Sequence, residues 1–133
     1  MTLQELADIE AIRKLIADYC FYTDTHDPDR LCALFHDDFA LTGIYGTYEG
    51  KAGMRALHTD RGGWSEMRHL TINPVIEVNG NEGTGRSYII CLDCTDGTAF
   101  KSAAAYRDRY IKVDGQWLFR SRHIHGHPAE TLD

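Results

Sequence analysis

Two side chains in this sequence have the type and placement needed for proton transfer. Asp24 stands four residues after Cys20 and one after Thr23, at the end of a run whose apolar residues recur at helical spacing. If the carboxylate continues that face it points along the core, where it needs a partner or takes up a proton. The alternative is an acid that reaches solvent or caps the next helix. His69 begins an alternating segment in which Leu70, Ile72, Pro74, Ile76 and Val78 share one face, while His69, Thr71 and Asn73 share the other. Three polar residues on a face that a helix should cover predict a polar-lined pocket; a face turned to water is the alternative. A carboxylate that accepts the proton of one imidazole nitrogen fixes the tautomer and leaves the other nitrogen as a base. Such a dyad can remove a proton from carbon next to an activating group, with no metal or nucleotide.

Other residues offer weaker signals. Arg122 shares strand parity with Leu118 and Arg120, opposite Trp117 and Phe119, so an inward Arg122 brings Arg120 with it or requires a bulge. Inward, its charge would steady a carboxylate, an enolate or a departing anion; otherwise it is a surface arginine. Trp64, in the run Gly62-Gly63-Trp64, either caps the cavity or packs. His123, His125 and His127 alternate and would face one way on a regular strand, as a metal site needs, but Gly126 and Pro128 break the strand, so a polar strand end is expected and no metal. Cys91-x-x-Cys94 is a lone pair, and Cys20 and Cys32 do not repeat it. Zinc needs two further ligands, so the thiols are read as reduced and Cys91 as strand filler. Tyr106 and Tyr110 flank Asp108 and are read as structural or as part of an oligomer interface.

The elements that must hold these groups follow from patterning. Thr2-x-x-Glu5 is a capping box, and Leu6, Ile9, Ile12, Ile16, Tyr19, Cys20 and Thr23 predict a helix over 3–22. Asp27-Pro28 starts a second helix with Leu31, Leu34 and Phe35 on its buried side, ended by His36-Asp37-Asp38. A strand over 39–45, a turn over 46–50, a helix over 51–58 and a lid-like loop over 59–66 come next. Strands over 68–79, 84–95, 98–113 and 116–125 are punctuated by Asn79-Gly80, Asp96-Gly97 and Asp114-Gly115. Helices first and a meander after predict one α+β domain over 1–133. In it, N-terminal helices pack on a strongly curved, mostly antiparallel sheet, giving a cone that encloses a pocket.

Composition narrows the function classes. The chain has 133 residues, 43% hydrophobic and 26% charged, with a net charge of -6 and no basic run, which argues against nucleic acid or an anionic membrane surface as partner. No stretch approaches the roughly 18–20 apolar residues of a membrane span, and the polar, acidic start does not read as a signal peptide, so a cytoplasmic location is expected.

Taken in order, several pieces resemble the SnoaL-like branch of the nuclear transport factor 2-like superfamily over about residues 5–125. They are Tyr19-x-x-x-x-Asp24, Asp27-x-x-Arg30-Leu31-x-x-Leu34-Phe35-x-Asp37-Asp38, Gly50, Arg68-His69, Pro74 to Val78 with Gly80, and Tyr106-x-Asp108-x-Tyr110 leading to Asp114-Gly115-x-Trp117. Within it the chain looks nearest to the cofactor-free lyases: scytalone dehydratase, bile-acid 7α-dehydratase and hexachlorocyclohexane dehydrochlorinase. The resemblance implies that Asp24 and His69 form the catalytic base, that Tyr19 holds a catalytic position, and that Tyr45, Asn73 and Arg122 lie at the pocket. Two departures stand out. Ser102-Ala103-Ala104-Ala105 replaces the stretch carrying a second catalytic histidine, and Cys91 falls near the place of a second catalytic aspartate, with Asp93 two residues on. The expected function is therefore a cofactor-independent lyase or isomerase of the dehydratase or elimination type. Asp24, His69, Tyr19 and Arg122 are its catalytic residues, and Tyr45, Trp64, Asn73 and Thr71 contact a small hydrophobic cyclic substrate. A homodimer or homotrimer is expected. A non-catalytic ligand-binding module or subunit is the alternative.

Overall fold

The structure is a computed structural model that describes residues 1–60 and 66–131. Helix α1 (Leu3–Asp24) opens with the predicted capping box: the Glu5 amide donates to Thr2 Oγ1 at 3.1 Å and the Thr2 amide to Glu5 Oε2 at 2.9 Å. It runs two residues past the predicted end, which puts Asp24 in the last helical turn. Asp27 caps α2 (Pro28–Cys32) by accepting from the Arg30 amide at 3.1 Å, with Pro28 at the first helical position. This helix is shorter than predicted. His36, Asp37 and Asp38 do not end it; they lie on strand β1 (Phe35–Gly43), whose Phe35, Phe39 and Leu41 face the core. The predicted turn at 46–50 contains a short strand β2 (Tyr48–Glu49) before α3 (Gly50–Asp60).

The meander follows as β3 (Met67–Asn79), β4 (Glu82–Asp93), β5 (Ala99–Val113) and β6 (Gln116–His125), then a 3-10 turn at Pro128–Thr131. At Asp114-Gly115 both residues have positive φ, 51° and 81°, as a two-residue turn matching the strand twist requires. The six strands form one open sheet in the order β2-β1-β6-β5-β4-β3. All neighbours are antiparallel except β1 and β6, a parallel pair that joins Phe35 to Phe119 and Gly43 to Ile124. Among the described residues no helix is long and apolar enough to cross a membrane.

Helix α1 lies across the inner face of the sheet. Its Ile12, Leu15, Ile16 and Tyr19 join Phe35, Phe39, Tyr110, Trp117 and Phe119 in the core. Near its start, Asp8 accepts from Trp117 Nε1 at 3.0 Å and pairs with Lys112 Nζ at 2.8 Å.

Of the register shifts in the sheet, those on β3 and β6 decide how the predicted site residues face. On β3 the register shifts between Ile72 and Val75, with Asn73 at a φ of 56°. Pro74, Ile76 and Val78 thereby change sides and join the face of His69 and Thr71; Ile76 and Val78 pack on the core. The shared face expected for His69, Thr71 and Asn73 ends at this bulge. On β6, Ser121 pairs with Arg109 and Phe119 with Tyr110, leaving Arg120 as the extra residue. Arg122 and Ile124 therefore turn inward beside Trp117 and Phe119, while Arg120 reaches the Asp38 carbonyl at 2.7 Å.

Inward, Arg122 is 1% exposed and forked onto Asp108, with Nε to Oδ1 at 2.7 Å and Nη2 to Oδ2 at 2.9 Å. The Tyr110 hydroxyl donates to the same carboxylate at 2.8 Å. Gly85 permits this arrangement, because a Cβ there would sit 2.9 Å from that hydroxyl. Rings cover the guanidinium, with the centroid of Tyr106 at 3.8 Å, Tyr19 at 4.5 Å and Phe119 at 4.7 Å. Removing one partner strands the other charge in the core. We predict that Arg122→Met and Asp108→Leu each lose about 3–5 kcal/mol of stability in urea unfolding, and that the double variant recovers most of it. Additive losses would contradict the pairing.

Candidate active site

Among the described residues, a cavity of about 220 Å³ opens between α1, α3 and the inner face of the sheet. Leu31, Leu41, Met54, Leu57 and Ile124 give it an apolar side, and His69, Cys91, Ser102, Tyr19, Tyr106 and His58 supply polar atoms. Each group is placed by the fold. Tyr19 continues the buried stripe of α1 one turn before Asp24. His58 lies on α3 one turn after Met54 and next to Leu57, the two buried apolar residues of that helix.

The final turn of α1 carries Asp24 to the start of β3. Its Oδ1 meets His69 Nδ1 at 2.5 Å, and its Oδ2 accepts from the His69 backbone amide at 2.8 Å. Both side chains are nearly buried, at 12% and 8% exposed. The carboxylate thus orients the ring and the backbone that carries it. Across the hairpin, Cys91 is the direct register partner of His69, which puts its thiol beside the imidazole on the inner face. Burial works against a charged His69, but hydrogen bonds to Asp24 and Cys91, and the charges behind them, together raise its pKa from 6.5 to about 9. Burial likewise opposes a Cys91 thiolate, yet the hydrogen bond and charge of His69 hold that thiol below its ordinary value. The Tyr19 phenol is shifted up by burial, with Arg122 pulling the other way, and burial shifts Tyr106 well up. Both stay protonated donors at neutral pH. His58 is pushed down by burial and by His26 and His69.

The predicted site residues divide. Asp24, His69 and Tyr19 come together, and Tyr45, 44% exposed, sits at the cavity rim. Arg122 does face inward, but beneath the tyrosines and tied to Asp108; it does not line the cavity. Thr71 turns to α1, where its Oγ1 is 3.4 Å from Cys20 Sγ, and lines a separate groove. Asn73, at the bulge, is exposed and lines a surface groove with Val75, Arg86 and Tyr88. Trp64 lies outside the described residues. His123 and His125 do share a side, with ring centroids 4.4 Å apart. They are engaged by Thr42 and Glu130, and His127 Nδ1 accepts from the Ala129 amide. No group of three or more metal-ligating side chains forms among the described residues.

Cys91, read as filler, lines the cavity beside His69. A regular hairpin closing at Asn79 and Glu82 pairs His69 with Leu92; the β3 bulge moves the partner to Cys91. Tyr106, read as structural, lines the cavity as well. His58 was missed, although its spacing from Met54 and Leu57 was a usable signal.

With this geometry in place, the family follows. The SnoaL-like domain model matches residues 4–123, and the chain belongs to that family. No curated protein matches the sequence. Among solved structures, a protein of unknown function from Mycobacterium tuberculosis is 28% identical with a TM-score of 0.85, over 93% of this chain and 77% of that one. The type 3 hexachlorocyclohexane dehydrochlorinase of Novosphingobium barchaimii is 27% identical with a TM-score of 0.78, over 90% and 86%. A nuclear transport factor 2-like protein with a cystatin-like fold from Novosphingobium aromaticivorans, 22% identical, shares the fold with a TM-score of 0.85 over 96% and 90%.

A raised imidazole pKa links to stability. The stabilisation from the Asp24–His69 pair is complete below the ordinary value of 6.5 and is lost as pH rises through about 9. We predict that the His69 ring titrates near pH 9 in an NMR pH series, and that Asp24→Asn lowers that midpoint by more than about one unit. An unmoved midpoint would remove Asp24 as its cause.

Proposed function

We propose that this chain is a cofactor-independent lyase or isomerase of the elimination or dehydration type, with the Asp24–His69 pair as its proton-transfer group. One observation carries the reading: the carboxylate grips both the ring and the backbone of a histidine in the wall of a mostly apolar cavity. The similarity to a hexachlorocyclohexane dehydrochlorinase supports elimination chemistry. With Nδ1 engaged by Asp24, Nε2 takes the proton from carbon. The carboxylate stabilises the imidazolium that forms. The Tyr19 and Tyr106 phenols supply hydrogen-bond donors for a developing oxyanion or for the leaving group. Arg122 acts through these rings: lying against both, its charge strengthens their hydroxyls as donors.

The cavity volume of about 220 Å³ lies below the roughly 300 Å³ where drug-sized pockets begin, so the substrate class is small and compact, such as a single ring bearing a leaving group. The partly exposed Leu70, Val75 and Tyr88 on the outer face of β3 and β4 offer a contact for a homodimer or homotrimer.

In this scheme the base is neutral His69, so kcat/KM rises by about tenfold per pH unit up to roughly pH 9 and then levels. Cyclohexane- and cyclohexanone-type compounds bearing halide or hydroxyl leaving groups, screened by thermal shift and then for turnover, test the proposal. His69→Ala and Asp24→Asn should still bind the hit while losing at least about 100-fold in turnover. A hit that wild type binds without ever turning it over favours the ligand-binding alternative.

A further inference from the structure

One row of polar side chains crosses the inner face of the sheet. His69 on β3 pairs in register with Cys91 on β4, and Cys91 pairs with Ser102 on β5. All three line the cavity. Asp24 engages His69 at Nδ1, and the register pairing sets the Cys91 thiol beside the same ring on the cavity wall. Carboxylate, imidazole and thiol thus stand in sequence, the order of an activated sulfur nucleophile. The elimination scheme gives the sulfur no work, although it stands beside the histidine that scheme uses. The other thiols lack this setting. Cys20 and Cys32 are buried, with burial pushing both upward, and Cys94 does not line the cavity.

We infer that Cys91 is a nucleophile that captures small, conjugated carbonyl compounds (enones) bound in the cavity. The Cys91 thiolate attacks the β-carbon and forms a C–S bond. The electron pair of the C=C bond moves to the carbonyl, giving an enolate. The His69 imidazolium returns its Nε2 proton to the α-carbon. The net change is addition of S–H across the double bond, with no oxidant or second reactant. The reverse step uses the same two groups: neutral His69 takes the α-proton and the thiolate leaves. Apolar Leu31, Leu41 and Met54 suit a hydrocarbon ring, and the protonated Tyr19 and Tyr106 hydroxyls suit its carbonyl oxygen. Large enones are excluded by the volume of about 220 Å³.

The inference goes beyond elimination and needs only the cavity and the pairing of His69 with Cys91 on its wall. The test uses 2-cyclohexen-1-one on the intact chain at pH 7, read by whole-protein mass and peptide mapping. Wild type should gain one adduct, on Cys91. Cys91→Ser should gain none, and His69→Gln should react at least about tenfold more slowly at pH 7 while recovering toward pH 9, where an unassisted thiol ionises. Circular dichroism of both variants checks the fold. A measurement on wild type alone guards against misfolded variants: the alkylation rate of Cys91 by iodoacetamide should reach half its maximum well below the free-thiol value of about 8.5. Labelling that spreads to Cys94, a Cys91 midpoint at or above that value, or a His69→Gln rate equal to wild type would each overturn the inference. Because adducts are scored without turnover, such a failure leaves the elimination proposal standing, and loss of turnover alone leaves this one standing.

Discussion

The site depends on one carboxylate at the end of one helix. Asp24 holds the His69 ring through Oδ1 and the His69 amide through Oδ2, so it ties the last turn of α1 to the first residues of β3. At the other end of the helix, Asp8 does the same against Trp117 and Lys112. Between the two anchors, Ile12, Leu15, Ile16 and Tyr19 press into the core. A helix held at both ends cannot slide along the sheet without breaking charge-assisted hydrogen bonds. That fixes the distance between Tyr19, which the helix brings to the cavity, and His69, which β3 brings.

The floor of the cavity solves a different problem. Arg122 brings a full positive charge under the tyrosines, which would cost several kcal/mol if unpaired. Asp108 neutralises it, Tyr110 holds Asp108, and three aromatic rings cover the remaining surface. An arginine locked in this way is a fixed part of the electrostatic background. The groups left with freedom to exchange protons are His69 and Cys91, whose shifts run in opposite directions because each stabilises the charged form of the other.

Most of the elements were legible in the sequence because their signals are local. A capping box, a proline after aspartate and three short hairpin turns each act over a few residues. Helical spacing and strand alternation left the directions of Asp24 and His69 open, and it was the family resemblance that joined them as a pair. What stayed hidden was the bulge on β3, a single residue that reverses the parity of everything after it; the one on β6 was raised only as an option at Arg122. Asn73 read as a pocket residue because strict alternation was assumed through it. Cys91 read as filler because its partner depended on that same extra residue. The inward turn of Arg122 was foreseen as one of two options, but its burial was not, because Asp108 and two of the covering rings come from two other elements, β5 and α1.

The parallel pairing of β1 and β6 sets an order of assembly. Phe35 has no sheet partner until Phe119 has been synthesised and the β5–β6 hairpin has closed. The meander from β3 to β6 is built from near-neighbour turns and can form early, whereas docking β1 closes a long loop and carries a larger entropic cost than any of those turns. On the ribosome, Phe35 and Phe39 therefore wait exposed while the rest of the sheet is made. Until the last strand arrives, this stretch is the natural point for a chaperone to hold and for misassembly to begin.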